Sequence, residues 1–176
     1  WDLKKPNLLS YLLLPFTIPI VINNYLLKFK SKKKFKEIKT ICIGNIYVGG
    51  TGKTPTTIKL YNLLEKINSN ICTAKKYHPS QLDEHLILKK KTKFITGKNR
   101  EDIVKKAIKN NFELLIFDDG LQDRKINYDL KFVCFDSQNW IGNGRIIPAG
   151  PLREDINSLI KYDGVFLKSN NSINEK

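Results

Sequence analysis

The chain has 176 residues, of which 41% are hydrophobic and 27% are charged. This balance excludes a disordered tail, and the length suits one ordinary domain with a substantial core but is short for two. The net charge of +14 indicates a polyanionic partner: nucleic acid, anionic lipid or nucleotide. The chain begins at Trp1 and contains no methionine, and the sequence after Leu167 has no pattern typical of a packed helix or strand. We therefore expect residues to be missing at both ends.

The first feature along the chain is an apolar stretch between two groups of lysines. No residue from Leu8 to Leu27 is charged, although Pro15 and Pro19 lie inside the stretch. Three interpretations are open: a segment lying in the membrane interface, a true membrane span, or a buried core helix. The lysines favour the interface, because each gains about 1 kcal/mol near an anionic leaflet. We therefore predict an apolar and basic membrane-associated segment over residues 1–36.

Beyond this segment, short apolar runs alternate with stretches of helical periodicity. The predicted strands are Ile38–Ile46, Asn70–Ala74, Lys93–Thr96, Leu114–Phe117, Phe132–Phe135 and Val165–Leu167. The predicted helices are Lys53–Ile67, Glu84–Lys91 and Asp102–Asn110. Continuous apolar strands alternating with helices indicate an α/β fold with a mostly parallel sheet covered on both faces.

The strongest motif is the glycine-rich sequence Gly44–Pro55, which follows the first predicted strand and opens the first predicted helix. In such a P-loop, backbone N–H groups surround phosphate oxygens and the helix N-terminus adds partial positive charge. We predict that Lys53 reaches the β- and γ-phosphates of ATP and that the Thr54 hydroxyl binds Mg²⁺. The predicted nucleotide-binding residues are Tyr47, Val48, Gly49, Gly50, Thr51, Gly52, Lys53 and Thr54. The strict P-loop pattern has glycine where this chain has Tyr47. The alternative to a P-loop is a chance glycine turn before a helix.

A second candidate site is formed by Asp118 and Asp119, which follow the apolar strand Leu114–Phe117. In a P-loop protein, a strand with a terminal aspartate lies beside the P-loop strand and helps to hold Mg²⁺. Two adjacent carboxylates supply the oxygen ligands that this ion prefers. An ordinary Asp-Asp-Gly turn is the alternative, but the preceding strand favours the metal site.

Three blocks together resemble the tetraacyldisaccharide 4′-kinase family: Gly44–Pro55, Asp118–Gln122 and Gly142–Glu154. The resemblance implies a P-loop NTPase-like fold preceded by an N-terminal apolar membrane-docking helix. It also implies transfer of the γ-phosphate of ATP to the 4′-hydroxyl of an acylated disaccharide lipid, giving lipid IVA, at the cytoplasmic face of the inner membrane. The anionic membrane surface would be a partner. Nucleic acid is not expected, because the lysines flank an apolar stretch and no aromatic–basic platform occurs.

Further site residues follow from the same resemblance. The family's Asp-Glu pair matches Asp83 and Glu84, and Asp83 is the expected base acting on the sugar hydroxyl. A simple helix cap is the alternative role for Asp83. Arg100 matches an arginine expected near the phosphates, and Glu154 matches a glutamate of the active-site region.

The chain also departs from the family pattern. Ala74–His78 stands where the family has Ser-Arg-Gly-Tyr-Gly, and Asp123 stands where a histidine is usual. The histidine that partners the catalytic aspartate lies in the C-terminal half of family members. Residues 37–176 are therefore predicted to be a P-loop kinase domain incomplete at its C-terminal end. The alternative function is a truncated or degenerate nucleotide-binding module without turnover.

Overall fold

The computed structural model of the chain describes residues 5–29, 31–123 and 125–169. They form two compact units. The first unit comprises Lys30–Gly44 and Lys53–Phe132, and the second comprises Trp1–Phe29, Asn45–Gly52 and Val133–Lys176. Within the described residues, the helices and strands in chain order are α1 (Leu8–Leu12), α2 (Ile18–Leu26), β1 (Lys39–Gly44), α3 (Lys53–Glu65), β2 (Ile71–Lys76), α4 (Leu82–Lys91), β3 (Phe94–Gly97), α5 (Arg100–Lys109), β4 (Leu114–Asp118), β5 (Leu130–Asp136) and β6 (Gly164–Lys168).

The strands form one sheet in the order β3-β2-β4-β1-β5-β6. The pairs β2·β3, β2·β4 and β1·β4 are parallel. The predicted α/β fold with a mostly parallel sheet is confirmed, and each predicted strand is present with ends that differ by a few residues. The P-loop strand β1 lies beside β4, as the sequence predicted, and the register pairs Ile43 with Asp118.

The first unit is held together by apolar strands and by helices that each bury one face. In β4, Leu115, Ile116 and Phe117 have no exposed surface. Helix α5 buries Ile103, Val104 and Ala107, the spacing of a single helical face. The Asn99 side chain accepts a hydrogen bond from a first-turn amide and so begins this helix.

The N-terminal segment lies in the second unit and is not a single helix. Helix α1 ends at Leu12, a short 3-10 helix follows over Leu14–Thr17, and α2 begins at Ile18. Pro15 and Pro19 lie at the starts of the second and third pieces, where proline is tolerated because it has no N–H to donate. The predicted N-terminal docking helix is therefore divided into short pieces in the structure.

This segment is also not a buried core helix, because Leu8 is 86% exposed, Leu12 70% and Phe16 64%. Of the interpretations left open by the sequence, the buried one is thus wrong. Among the described residues, no helix has the length and apolar character needed to cross a membrane.

Polar contacts attach the segment to the Gly142–Glu154 block of the same unit. The Ser10 hydroxyl donates to the Ala149 carbonyl oxygen at 2.5 Å, and the Asn24 amide donates to the Arg153 carbonyl oxygen at 3.0 Å. The Arg145 guanidinium lies 4.6 Å from the centre of the Tyr11 ring. The block is therefore a packed scaffold for the N-terminal helices, in addition to any role in the active site.

Candidate active site

The start of α3 and the end of β4 meet in the first unit. The Thr54 hydroxyl donates to Asp118 Oδ2 at 2.9 Å, and the Thr57 hydroxyl, one turn further along α3, lies 3.2 Å from Asp118 Oδ1. Asp118 has no exposed surface. The parallel pairing of β1 with β4 causes this meeting, because the chain enters α3 shortly after β1 ends. The two predicted metal-binding residues Thr54 and Asp118 are thus in direct contact.

Asp119 has an unusual backbone conformation. Its φ is +64°, and its N–H donates to the Ile43 carbonyl oxygen at 2.8 Å. A positive φ is uncommon in a residue other than glycine, and residues held in such conformations are enriched at functional sites. Asp119 Oδ2 lies 3.7 Å from Lys53 Nζ, so the predicted phosphate lysine and the second predicted metal carboxylate form an ion pair.

A buried lysine that the sequence did not single out completes this cluster. Lys75 is only 2% exposed. Its ammonium group lies 2.8 Å from Asp118 Oδ2 and also pairs with the Glu84 carboxylate. Burial alone would lower the pKa of Lys75, but the charge and hydrogen bonds of the two carboxylates outweigh burial and raise that pKa. Lys75 is therefore a charged lysine inside the site.

Lys75 reaches Asp118 because β2 pairs with β4 in the register Ala74↔Phe117, which places the next residue of each strand side by side. In parallel strands, side chains at one register position point to the same face. The signal in the sequence was the position of Lys75 itself, a charged residue following the buried run Ile71–Ala74.

The predicted pair Asp83 and Glu84 occupies the first turn of α4. Asp83 is exposed, whereas Glu84 is in contact with Lys75. The N-cap of α4 is Gln81, so Asp83 is not the N-cap residue. Negative charge in a first helical turn is favourable in itself. The structure thus brings Glu84 into the cluster and leaves the Asp83 carboxylate exposed in the same helical turn.

Arg100, the first residue of α5, contacts the turn after β4. Its guanidinium donates to the Asp119 carbonyl oxygen and to the Asp123 carboxylate, both at 2.6 Å. Burial alone would raise the pKa of Asp123. Hydrogen bonds from the Lys125 N–H and from Arg100 outweigh burial, so the pKa is lowered. A Cβ atom at Gly120 would lie 2.9 Å from the Tyr128 hydroxyl oxygen and 3.0 Å from Arg100 Nε, so glycine leaves room for Arg100 here. Asp123, a departure from the family pattern, is therefore the partner of Arg100.

The glycine loop lies in the second unit up to Gly52 and continues along the chain into Lys53. The Asn45 side-chain amide donates to the Gly49 carbonyl oxygen at 3.2 Å. Gly49 has a φ of +141° and Gly52 a φ of +78°, conformations that favour glycine. Tyr47 is 4% exposed and forms an antiparallel bridge with Leu152. Because its φ is not positive, the loop does not require glycine at position 47.

Two further charged residues lie in the second unit. Glu154 is 6% exposed, and its Oε2 accepts a hydrogen bond of 3.3 Å from the Tyr162 hydroxyl. Lys168 was not predicted as a site residue, yet its side chain lies against Gly52, where an added Cβ would be 3.0 Å from Lys168 Cδ. Lys168 also pairs with Asp136 at 3.3 Å.

The donor set of the first unit fits a magnesium–nucleotide site. Within residues 5–29, 31–123 and 125–169, no group of three or more His, Cys, Asp or Glu side chains forms a metal-holding cluster. The predicted ligands are one hydroxyl, from Thr54, and the carboxylates of Asp118 and Asp119. Mg²⁺ characteristically keeps several waters and takes one or two carboxylates together with substrate phosphates. The residues present therefore suit an ion that is held jointly with a nucleotide.

The family model that describes tetraacyldisaccharide-1-P 4′-kinase matches residues 8–176 of this chain. A tetraacyldisaccharide 4′-kinase from Pelagibacter ubique is 52% identical over 172 residues, which are 97% of this chain and 54% of that protein. One from Rickettsia akari is 36% identical over 190 residues, covering 98% of this chain and 58% of that protein. The chain thus spans about half the length of the curated relatives it matches.

The fold is similar to that of LpxK from Aquifex aeolicus, whose crystal structure was determined in complex with ATP. The TM-score is 0.74 at 24% sequence identity, and the match covers 92% of this chain and 59% of the other. At this identity the likeness establishes the fold alone.

Proposed function

The chain belongs to the tetraacyldisaccharide-1-P 4′-kinase family, and from this premise we propose that it forms the ATP-binding part of a lipid kinase. The reaction is transfer of the γ-phosphate of ATP to the 4′-hydroxyl of a tetraacylated disaccharide 1-phosphate, giving lipid IVA in lipid A biosynthesis. The observation that carries this proposal is the 2.9 Å hydrogen bond between Thr54 at the start of α3 and buried Asp118 at the end of β4. This hydrogen bond connects the P-loop motif to the aspartate at the end of β4.

The residues of the first unit have distinct roles in this proposal. Lys53 binds the β- and γ-phosphates, while Thr54, Asp118 and Asp119 hold Mg²⁺. When bound, that ion neutralises negative charge on the phosphates. Asp83, exposed in the first turn of α4, accepts the proton of the sugar hydroxyl.

Further residues of both units have roles in this proposal. Arg100 orients the Asp118–Asp119 turn through its hydrogen bond to the Asp119 carbonyl oxygen. The loop residues from Tyr47 to Gly52 supply backbone N–H groups to the phosphates, and Glu154 belongs to the same active-site region by family resemblance.

Substitution of Lys53 tests the nucleotide site. Lys53→Ala should weaken Mg-ATP binding tenfold or more, about 1.4 kcal/mol or above, because the ammonium group that meets the phosphates is lost. Isothermal titration calorimetry measures the affinity. Lys59→Ala, which removes an exposed lysine from the same helix, is the matched control and should bind like the parent. Equal affinity of the Lys53→Ala and parent proteins for Mg-ATP would contradict the P-loop assignment.

A nucleotide-binding module without turnover is the second candidate, and the observation that favours it is the coverage of about half of each curated relative. Both candidates predict ATP binding. A transfer assay with labelled ATP and the tetraacylated disaccharide 1-phosphate separates them.

We also propose that the N-terminal segment lies on the anionic cytoplasmic face of the inner membrane. Its helices expose several large apolar side chains: Leu8, Leu9, Tyr11, Leu12, Phe16, Ile18, Val21, Ile22, Tyr25, Leu26 and Phe29. Lysines lie at both ends of the segment. Apolar side chains flanked by lysines are the composition of interfacial segments.

The expected result is that the triple substitution of Leu8, Leu12 and Phe16 by asparagine abolishes most binding to phosphatidylglycerol vesicles in a co-sedimentation assay. Binding of the parent should fall as salt rises, because charges are screened over about 8 Å at physiological ionic strength. The double substitution Ile67→Asn and Ile160→Asn is the control, since these side chains are 85% and 91% exposed elsewhere in the chain. Salt-insensitive association that survives a carbonate wash would contradict interfacial binding.

A further inference from the structure

The Lys75 ammonium group is held between two carboxylates that come from different elements. Asp118 is fully buried at the end of β4, and Glu84 is in the first turn of α4, with 36% of its side chain exposed. Lys75 itself lies in β2 and is 2% exposed. A lysine is almost never buried in this way unless it is paired. This pairing has no part in the nucleotide roles described above.

The bonds to Asp118 define what the ammonium group does there. Asp118 Oδ2 accepts from Lys75 and from Thr54, while Oδ1 accepts from Thr57. A carboxylate offers about four acceptor directions, so most of those on Asp118 are used. A metal ion that approached Asp118 directly would have to displace a charged donor that Glu84 also holds in place.

The charges around Asp118 also disfavour direct binding of a metal ion. Three carboxylates, those of Glu84, Asp118 and Asp119, stand against two ammonium groups, those of Lys53 and Lys75. One negative charge is therefore in excess, which attracts a bare divalent cation only weakly. Removal of Lys75 would leave two negative charges in excess and a gap next to Asp118 Oδ2, and both favour the binding of a divalent cation.

We propose that Lys75 is a positioning residue that acts as a resident counter-ion, so that a divalent metal binds at Asp118 only together with the nucleotide. The nucleotide phosphates bring the additional oxygen ligands and the additional negative charge that the cluster lacks. By pairing with Glu84, Lys75 also fixes the start of α4 and thus the place of Asp83. This inference rests on the proposed function, in which Asp118 serves the metal.

The test is calorimetric titration of the 176-residue chain with Mn²⁺ alone, without nucleotide. Lys75→Met should bind Mn²⁺ at least tenfold more tightly than the parent. Lys75→Arg, which keeps the positive charge, should behave like the parent. Lys76→Met is the matched control, because Lys76 is the next residue of β2 and is exposed. Adding Glu84→Gln to Lys75→Met should reduce the gain, since one of the two carboxylates then loses its charge.

Thermal unfolding provides a second measurement that remains decisive when Lys75→Met is poorly folded. Mn²⁺ should raise the melting temperature of Lys75→Met, or restore its far-UV circular dichroism, and should leave the parent unchanged. The proposal is overturned when the parent binds Mn²⁺ as tightly as Lys75→Met, when Lys76→Met shows the same gain, or when Mn²⁺ neither binds nor stabilises Lys75→Met. Failure of the parent to bind Mg-ATP would instead reject the proposed function, because the comparison with Mn²⁺ alone does not use nucleotide.

Discussion

Replacing Asp118 by alanine is expected to lower the free energy of unfolding by about 3–5 kcal/mol, because it leaves Lys75 as a buried charge without its principal partner. Asp118 is fully buried and its Oδ2 lies 2.8 Å from Lys75 Nζ. The substitution also removes the acceptor of the Thr54 and Thr57 hydroxyls. Urea denaturation followed by circular dichroism measures the change.

Two comparisons isolate the buried pair. The double variant Asp118→Ala, Lys75→Met should be more stable than Asp118→Ala alone, because the uncompensated charge is gone. Glu101→Ala removes a carboxylate whose side chain is 36% exposed and whose lysine partner lies 3.8 Å away, so the free energy of unfolding should change by about 1 kcal/mol or less. A loss in Asp118→Ala no larger than that in Glu101→Ala would show that the buried pair contributes little.

Asp83→Asn is expected to reduce kcat for phosphate transfer by about a hundredfold or more, as for the loss of a general base. The suitable protein is a chimera in which residues 8–169 replace the matching part of the Pelagibacter ubique relative, which is 52% identical to this chain. The assay follows labelled phosphate from ATP to the tetraacylated disaccharide 1-phosphate. Calorimetric ATP affinity should be retained in the variant, because Asp83 is exposed and lies outside the phosphate-binding residues.

The controls for this assay separate the base from the rest of the chain. Glu101→Gln, in the first turn of α5, should leave kcat unchanged. The 176-residue chain alone should bind ATP but transfer little phosphate, since it spans about half the length of the curated relatives. Transfer by the Asp83→Asn chimera at the parental rate would mean that another carboxylate is the base, and strong turnover by the 176-residue chain would mean that its own residues suffice.

Local patterns predicted most of the sheet. Buried strands such as β1 and β4 are continuous apolar runs, and their pairing followed from the P-loop motif together with the aspartates at the end of β4. The contact between Thr54 and Asp118 was therefore accessible from the sequence. The N-terminal segment was harder, because hydropathy describes a continuous stretch while Pro15 and Pro19 divide it into pieces.

The missed residues depend on pairing between distant parts of the chain. Lys75 meets Asp118 only because β2 lies next to β4, an order that hydrophobic periodicity does not specify. Asp123 looked like the loss of a family histidine, yet it is the ion-pair partner of Arg100. In both cases the role of a charged residue depends on the oppositely charged residue that the fold brings next to it.

The Gly142–Glu154 block has a mechanical consequence. It carries the N-terminal helices through Ser10 and Asn24, and it carries the glycine loop through hydrogen bonds from the Val48 N–H to Pro151 and from the Arg153 N–H to Ile46. The same block thus contacts both the N-terminal helices and the glycine loop of the second unit. Under the proposed membrane binding, this block would therefore set the distance between the glycine loop and the lipid surface.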